Sequence, residues 1–188
     1  MKKIKKSDRH QRIKEVLKEN PFLTDDELSE KFGVSVQTIR LDRMSLNIPE
    51  LRERVKSVAT KNLQKVKSIG EGEIVGELID LQLNENAISI LQTDESMAFT
   101  KTKIVKGHYI FAMAETLALA VIESNVALVG VANVKNRVPV KAGEKLVAKA
   151  RVVRKRGTEF FVRVYINVNN DEVFRSKFRL VSIDIETN

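Results

Sequence analysis

Apolar residues along this 188-residue chain recur first at helical and then at strand spacing. From Asp8, Ile13, Val16 and Leu17 mark one face of a helix of about three turns, which Asn20-Pro21 ends. Thr24 and Glu27 have capping-box spacing, so a second helix is predicted to start near Asp25; it is short, because Gly33 follows Phe32. Asp25 and Asp26 add favourable charge at its positive end. Ser35 is a second N-cap candidate, opening a helix that reaches about Leu46 before Asn47 and Pro49. Leu28, Phe32, Val34, Ile39 and Leu46 form its predicted small core. Pro49 suits the first turn of a further, long helix, along which Leu51, Val55, Val58, Leu63, Val66 and Ile69 make one apolar stripe among basic residues. That stripe needs cover, either from the same chain or from a second subunit.

After Gly70-Glu71-Gly72 the period changes. Glu73 to Leu83 and Ala87 to Leu91 read as strands around an Asn84-Glu85-Asn86 turn. Gly107 to Ile122 is Ala-rich and nearly apolar all round, which predicts a central buried helix. Val126 to Val131 reads as another strand, and three long alternating runs follow: Lys145 to Arg154, Glu159 to Val168 and Glu172 to Ile183. Lys155-Arg156-Gly157-Thr158 and Asn169-Asn170-Asp171 connect them as hairpins. The expected fold class is α+β, in three parts: a helix-turn-helix of winged or plain type over residues 1–47, an amphipathic linker helix over 48–70, and one helix wrapped by an antiparallel sheet over 71–188.

Charge divides the chain along the same line. Residues 1–67 hold 17 of the 33 basic and 10 of the 25 acidic residues, a net of +7, leaving only +1 for the remainder of the overall +8. A basic excess confined to one segment points to a polyanion, above all nucleic acid, although a solvated charged surface has the same composition. With no Cys and only His10 and His108, far apart in sequence, the chain offers no disulfide, no thiolate nucleophile and few zinc-site ligands, and no metal is expected. The absence of an 18- to 20-residue apolar run, or of a hydrophobic stretch after the Lys-rich start, leads to the expectation of a cytoplasmic protein without a membrane partner.

Two helices around Gly33-Val34-Ser35 match a helix-turn-helix, whose second helix enters the major groove of double-stranded DNA. Gln37 and Arg40 are the candidates for base edges, because Gln pairs with adenine and Arg with guanine; Ser35, Thr38 and Arg43 are the candidates for phosphates. A three-helix interaction module with a charged face is the alternative. The stretch Leu28 to Asp42, with Val-Ser-x-Gln-Thr-Ile-Arg-x-Asp inside it, resembles a DeoR-type helix-turn-helix.

The second half resembles a hotdog fold. Lys106 to Ala118 is similar to the central helix of hotdog acyl-CoA thioesterases, and Val138 to Leu146 to their turn into the long strands. A DeoR-like head fused to a hotdog body resembles the FapR family, repressors of fatty-acid and phospholipid synthesis genes, over almost the whole chain, including Pro49 to Arg54 and Ala87 to Leu91. The resemblance implies a homodimer through the hotdog domain, with the linker helix as an open second contact, that leaves operator DNA when malonyl-CoA or another acyl-CoA occupies the hotdog pocket. No further cofactor is implied. Phe99 and Gly107 match the family's ligand positions, whereas Lys106 stands for an Arg and Glu115 for an Asn. Lys106 keeps the charge without the bidentate fork, and Glu115 would repel a malonyl carboxylate unless paired, for instance with Lys106. Glu115 also opens an enzymatic alternative, as the general base of a thioesterase, beside the plainer reading of an ion pair at a dimer interface. His108 is read as a helix-start residue without a metal role.

Overall fold

The computed structural model describes residues 5–70 and 72–183, which divide after Val58 into two compact units. The first contains α1 (Lys6–Glu19), α2 (Asp25–Phe32), α3 (Val36–Ser45) and the start of α4 (Leu51–Leu63). Its core is small: Ile13, Leu17, Leu28, Phe32 and Ile39 are buried, with Val16, Leu23, Val34, Leu46 and Ile48 packed around them. All five expected core residues are among these ten. No strand occurs among the described residues of this unit, so the helix-turn-helix is of the plain type rather than winged.

So few apolar side chains are supplemented by buried charge pairs. Asp42, 2% exposed, accepts from Arg9 Nε at 2.6 Å and lies 2.8 Å from His10 Nε2, joining α1 to α3. Arg54, near the start of α4, donates to the carbonyls of Pro21, Leu23 and Pro49 at 2.9, 2.6 and 2.6 Å. Three backbone acceptors with no helical partner are thereby satisfied by one guanidinium.

The second unit is a six-stranded antiparallel sheet, β1 (Glu77–Gln82), β2 (Asn86–Gln92), β3 (Ala127–Asn136), β4 (Lys145–Arg156), β5 (Glu159–Val168) and β6 (Asp171–Ser182), in the order β1-β2-β4-β5-β6-β3. It wraps around α5 (Gly107–Ala120), the hotdog arrangement. Ile110, Met113, Ala114, Leu117 and Ala118 of α5 are buried against the inward positions of β5 and β6, including Phe160, Val162, Val164, Ile166, Phe174 and Phe178. Each fully buried Phe, Leu or Ile contributes roughly 1.5–3 kcal/mol relative to exposure, which makes this layer the main source of the unit's stability. The C-terminal carbonyls of α5 are satisfied from outside: Leu119 by Ser68 Oγ at 2.8 Å and Val121 by the Asn84 amide at 2.7 Å.

The expected elements differ most from those observed in three places. The linker helix ends at Leu63, where Val66 turns back into the core and Asn62 Nδ2 donates to the carbonyl of Ile79 at 2.8 Å. The first strand begins at Glu77 rather than Glu73, because Gly76 at φ +94° breaks the extended run. β3 continues to Asn136, beyond Val131 where the apolar run stops, since β6 offers backbone partners along its whole length.

A Cβ on Gly76 would stand 2.6 Å from the carbonyl oxygen of Ile90 in a left-handed conformation. Gly76→Ala is expected to destabilise the hotdog unit by about 3 kcal/mol, through backbone displacement and strain together. Urea unfolding followed by circular dichroism measures this; an unchanged midpoint contradicts the geometry.

Candidate functional site

Local sequence builds the helix-turn-helix almost unaided. Thr24 Oγ1 accepts from the Glu27 amide at 3.1 Å while Glu27 Oε2 accepts from the Thr24 amide at 2.7 Å, a complete capping box. Gly33 closes α2 at φ +63°, the left-handed conformation that frees the chain to turn. Ser35 then caps α3, accepting from the Thr38 amide at 3.3 Å, and the Ser35 and Thr38 hydroxyls lie 2.9 Å apart.

These contacts leave Gln37, Arg40, Leu41 and Met44 exposed on α3, positions that share one helical face. Gln37 and Arg40 thus lie on the open face of α3, with Ser35 beside them and Thr38 half-buried at the helix start. Arg40 keeps only a long 3.7 Å contact with Asp25, its side chain 57% exposed.

Arg43 does not join this face. Its guanidinium, 6% exposed, makes a bidentate pair with Asp25 at 2.6 and 2.7 Å and donates to the Ile48 carbonyl at 3.2 Å. The expected phosphate contact is therefore corrected to an internal strut joining the N-terminus of α2 to the end of α3. The Arg43 hydrogen bonds hold the Asp25 carboxyl below its ordinary value near 3.8. At Asp42 burial pushes upward, but hydrogen bonds from Arg9 and His10 outweigh it and the net shift is down. Leu41 and Met44 are 67% and 71% exposed on the same face; sequence reasoning misses them, because an apolar residue on a short helix reads as core.

In the hotdog unit, Phe99, Lys106 and Gly107 come together at the start of α5. The Lys106 amide donates to the Met97 carbonyl at 2.9 Å, Lys106 Nζ to that of Ser96 at 3.3 Å, and the Phe99 amide to that of Ile104 at 2.9 Å. Phe99 is 55% exposed, and a Cβ on Gly107 would meet nothing within 4 Å, so the space above the helix start is open. An open helix start beside a lysine suits an anionic or carbonyl oxygen. Glu115 lies eight residues along the helix from Gly107, about 12 Å of rise, half-buried and without an ion pair among the described residues. The structure therefore does not bring Lys106 and Glu115 of one chain together. His108 stacks on Tyr109 with ring centroids 4.3 Å apart, and no group of three His, Asp or Glu suited to a metal occurs among the described residues. No described helix is long and apolar enough to cross a membrane.

Residues 9–61 match the DeoR-like helix-turn-helix domain family. Over 97% of the chain and 91% of the relative, the sequence is 59% identical to transcription factor FapR of Thermoanaerobacter sp. strain X514. Against FapR of Bacillus subtilis strain 168 the identity is 46%, over 92% of this chain and 94% of that one. The chain belongs to the FapR family. It is accordingly a transcription factor with a DNA-binding helix-turn-helix domain, a role that calls for no thioesterase chemistry at Glu115. Solved structures agree on the body: the uncharacterized protein PH1136 from Pyrococcus horikoshii superposes with a TM-score of 0.57 at 28% identity, covering 60% of this chain and 85% of that one. Smu.793 of Streptococcus mutans, solved bound to acetyl CoA, has a TM-score of 0.51 at 15% identity, over 56% of this chain and 86% of its own, a likeness of fold.

The different placements of Arg40 and Arg43 separate by mutation. Arg43→Ala leaves Asp25 without its partner and is expected to cost the helix-turn-helix unit about 3 kcal/mol, whereas Arg40→Ala leaves thermal stability unchanged and weakens duplex binding. Because both aspartates are held below their ordinary values, their contribution is present above the unfolded-state pKa near 3.8 and is lost as pH falls through the folded value. Thermal melts between pH 3 and 7, beside fluorescence anisotropy with a labelled duplex, measure both effects; equal Tm losses for the two variants would contradict the assignment.

Proposed function

We propose that the protein is a repressor of fatty-acid and phospholipid synthesis genes that binds a palindromic operator and is released from it by an acyl-CoA. The reading is carried by one combination within a FapR-family chain: a DNA-facing stripe containing Gln37 and Arg40 on one unit, and an open α5 start with Lys106, Gly107 and Phe99 on the other. Gln37 and Arg40 contact base edges, and Ser35 and Thr38 the adjoining phosphates. The amides at the start of α5 receive the thioester carbonyl, Lys106 an anionic acyl end, and Phe99 covers the ligand chain. Malonyl-CoA is the effector that family resemblance favours. Glu115 of one chain then has to be neutralised or paired when a dicarboxylic acyl group enters.

The acting unit is a cytoplasmic homodimer. β3 is an edge strand ten residues long, and Val131 and Val134 along it, 49% and 43% exposed, are apolar positions that a second copy would cover. Antiparallel pairing of two β3 edges about a two-fold axis also sets two recognition helices on a symmetric operator. The opposite edge, β1, has only six residues and carries Glu77 and Asp80, which suit it poorly to the same role. The linker segment 48–70 carries the coupling. Ligand shifts the population only as far as it prefers the state that cannot bind DNA, and moving the balance from 1:99 to 99:1 needs about 5.5 kcal/mol of preference.

Two measurements test this. Calorimetric titration with acetyl-, malonyl- and long-chain acyl-CoA, with and without promoter DNA, is expected to show one acyl-CoA binding more weakly when DNA is present. Val134→Lys in β3 is expected to convert the dimer to monomer in light scattering and to reduce operator affinity at least tenfold. Duplex affinity indifferent to every acyl-CoA, or a dimer that survives Val134→Lys, overturns the corresponding part.

A further inference from the structure

The near-neutral composition of residues 68–188 conceals a strongly sorted surface. On the face of the sheet turned away from α5, cations stand in two adjacent cross-strand rows. In one, Arg151 of β4 lies opposite Arg163 of β5, which lies opposite Lys177 of β6. In the next, Lys149 lies opposite Tyr165, Tyr165 opposite Arg175, and Arg175 opposite Lys135 of β3. All six cationic side chains are exposed. Among the described residues only Arg175 has a carboxylate within ion-pair distance, Glu172 at 4.0 Å, and that carboxylate is 2.9 Å from Arg137. A shallow depression of about 320 Å³ lies between Lys135, Arg163, Arg175 and Lys177.

Like charges placed directly across neighbouring strands repel, and three in a row are an arrangement that folding alone does not favour. Their cost is removed when an anion lies over them. The rows extend over four strands, about 14 Å at the usual strand separation, so the charge is dispersed rather than converging on a point as a single phosphate would require. Tyr165, the one aromatic residue within the rows, is half-buried between the cations and offers little to insert into a bilayer. Delocalised cations on a broad surface suit a polyanion whose charges are themselves strung out, and duplex DNA is the polyanion to which the helix-turn-helix already brings the chain.

We propose that this outer sheet face is a second, sequence-independent contact surface for the phosphate backbone of double-stranded DNA. The inference rests on the DNA-binding reading of α3 and adds a counterion-release contribution from the hotdog unit, one that raises affinity without contributing to base recognition.

The test uses the full-length protein and a fluorescein-labelled 40-base-pair duplex of mixed sequence, with anisotropy titrations from 50 to 300 mM KCl. The triple variant Arg151→Ser, Arg163→Ser, Lys177→Ser is expected to bind with a log affinity versus log salt slope shallower than wild type by about 2 to 3, at roughly 0.9 for each phosphate that is no longer neutralised. The charge-retaining variant Arg151→Lys, Arg163→Lys, Lys177→Arg keeps the wild-type slope, which separates removal of charge from failure to fold; circular dichroism confirms folding of both. A slope unchanged in the serine variant overturns the proposal while leaving the helix-turn-helix reading intact. Absence of duplex binding by wild type overturns both. Co-sedimentation with phosphatidylserine-containing vesicles that disappears in the serine variant, together with an unchanged duplex slope, assigns the face to lipid and overturns the proposal too.

Discussion

A helix with almost no polar side cannot stop being buried at one contact. α5 carries Ile110, Met113, Ala114, Leu117 and Ala118 into the core, and Phe111 and Leu119, only partly covered, extend apolar surface beyond it. The sheet must therefore be long enough and curved enough to wrap the helix, and this governs the lengths of β4, β5 and β6 and the alternation of their inward Val, Ile and Phe residues. The helix start is left open above Gly107, with Lys106 beside it tied to the Ser96 carbonyl. The open space at that end is a consequence of the packing, not an addition to it.

The helix-turn-helix unit solves a different problem. Five buried apolar residues are a slender core, and the charge pairs Asp25–Arg43 and Asp42–Arg9, with His10, supply the remaining constraints on helix placement. Such pairs hold geometry more than they add net stability, because desolvating both partners offsets much of their attraction. Fixed geometry is what a DNA-binding helix needs, and these pairs hold α3 with the face bearing Gln37 and Arg40 outward.

The apolar periodicity, the capping box at Thr24 and Glu27, the caps at Gly33 and Ser35, and the hairpin residues Gly157 and Asn169 are local signals, and each element they announce is present. Membership of the FapR family is legible in the same way, through contiguous motifs. Arg43 is not. Three residues from Arg40 on a short basic helix, it has the same chemistry and spacing as a phosphate contact; only the fold shows that Asp25, 18 positions earlier, stands 2.6 Å away. Nor is the sorting of charge on the sheet, because Arg151, Arg163 and Lys177 become neighbours through strand register alone.

The order of the chain by itself determined which helices and strands form and most of their starts, since caps, turns and hydrophobic period act over one or two turns of backbone. Tertiary structure decided which charged side chains are struts and which face solvent, how far β3 runs, and which cations share a face. Those outcomes depend on partners far apart in the chain, as when Arg9 meets Asp42, and no local pattern encodes such an encounter.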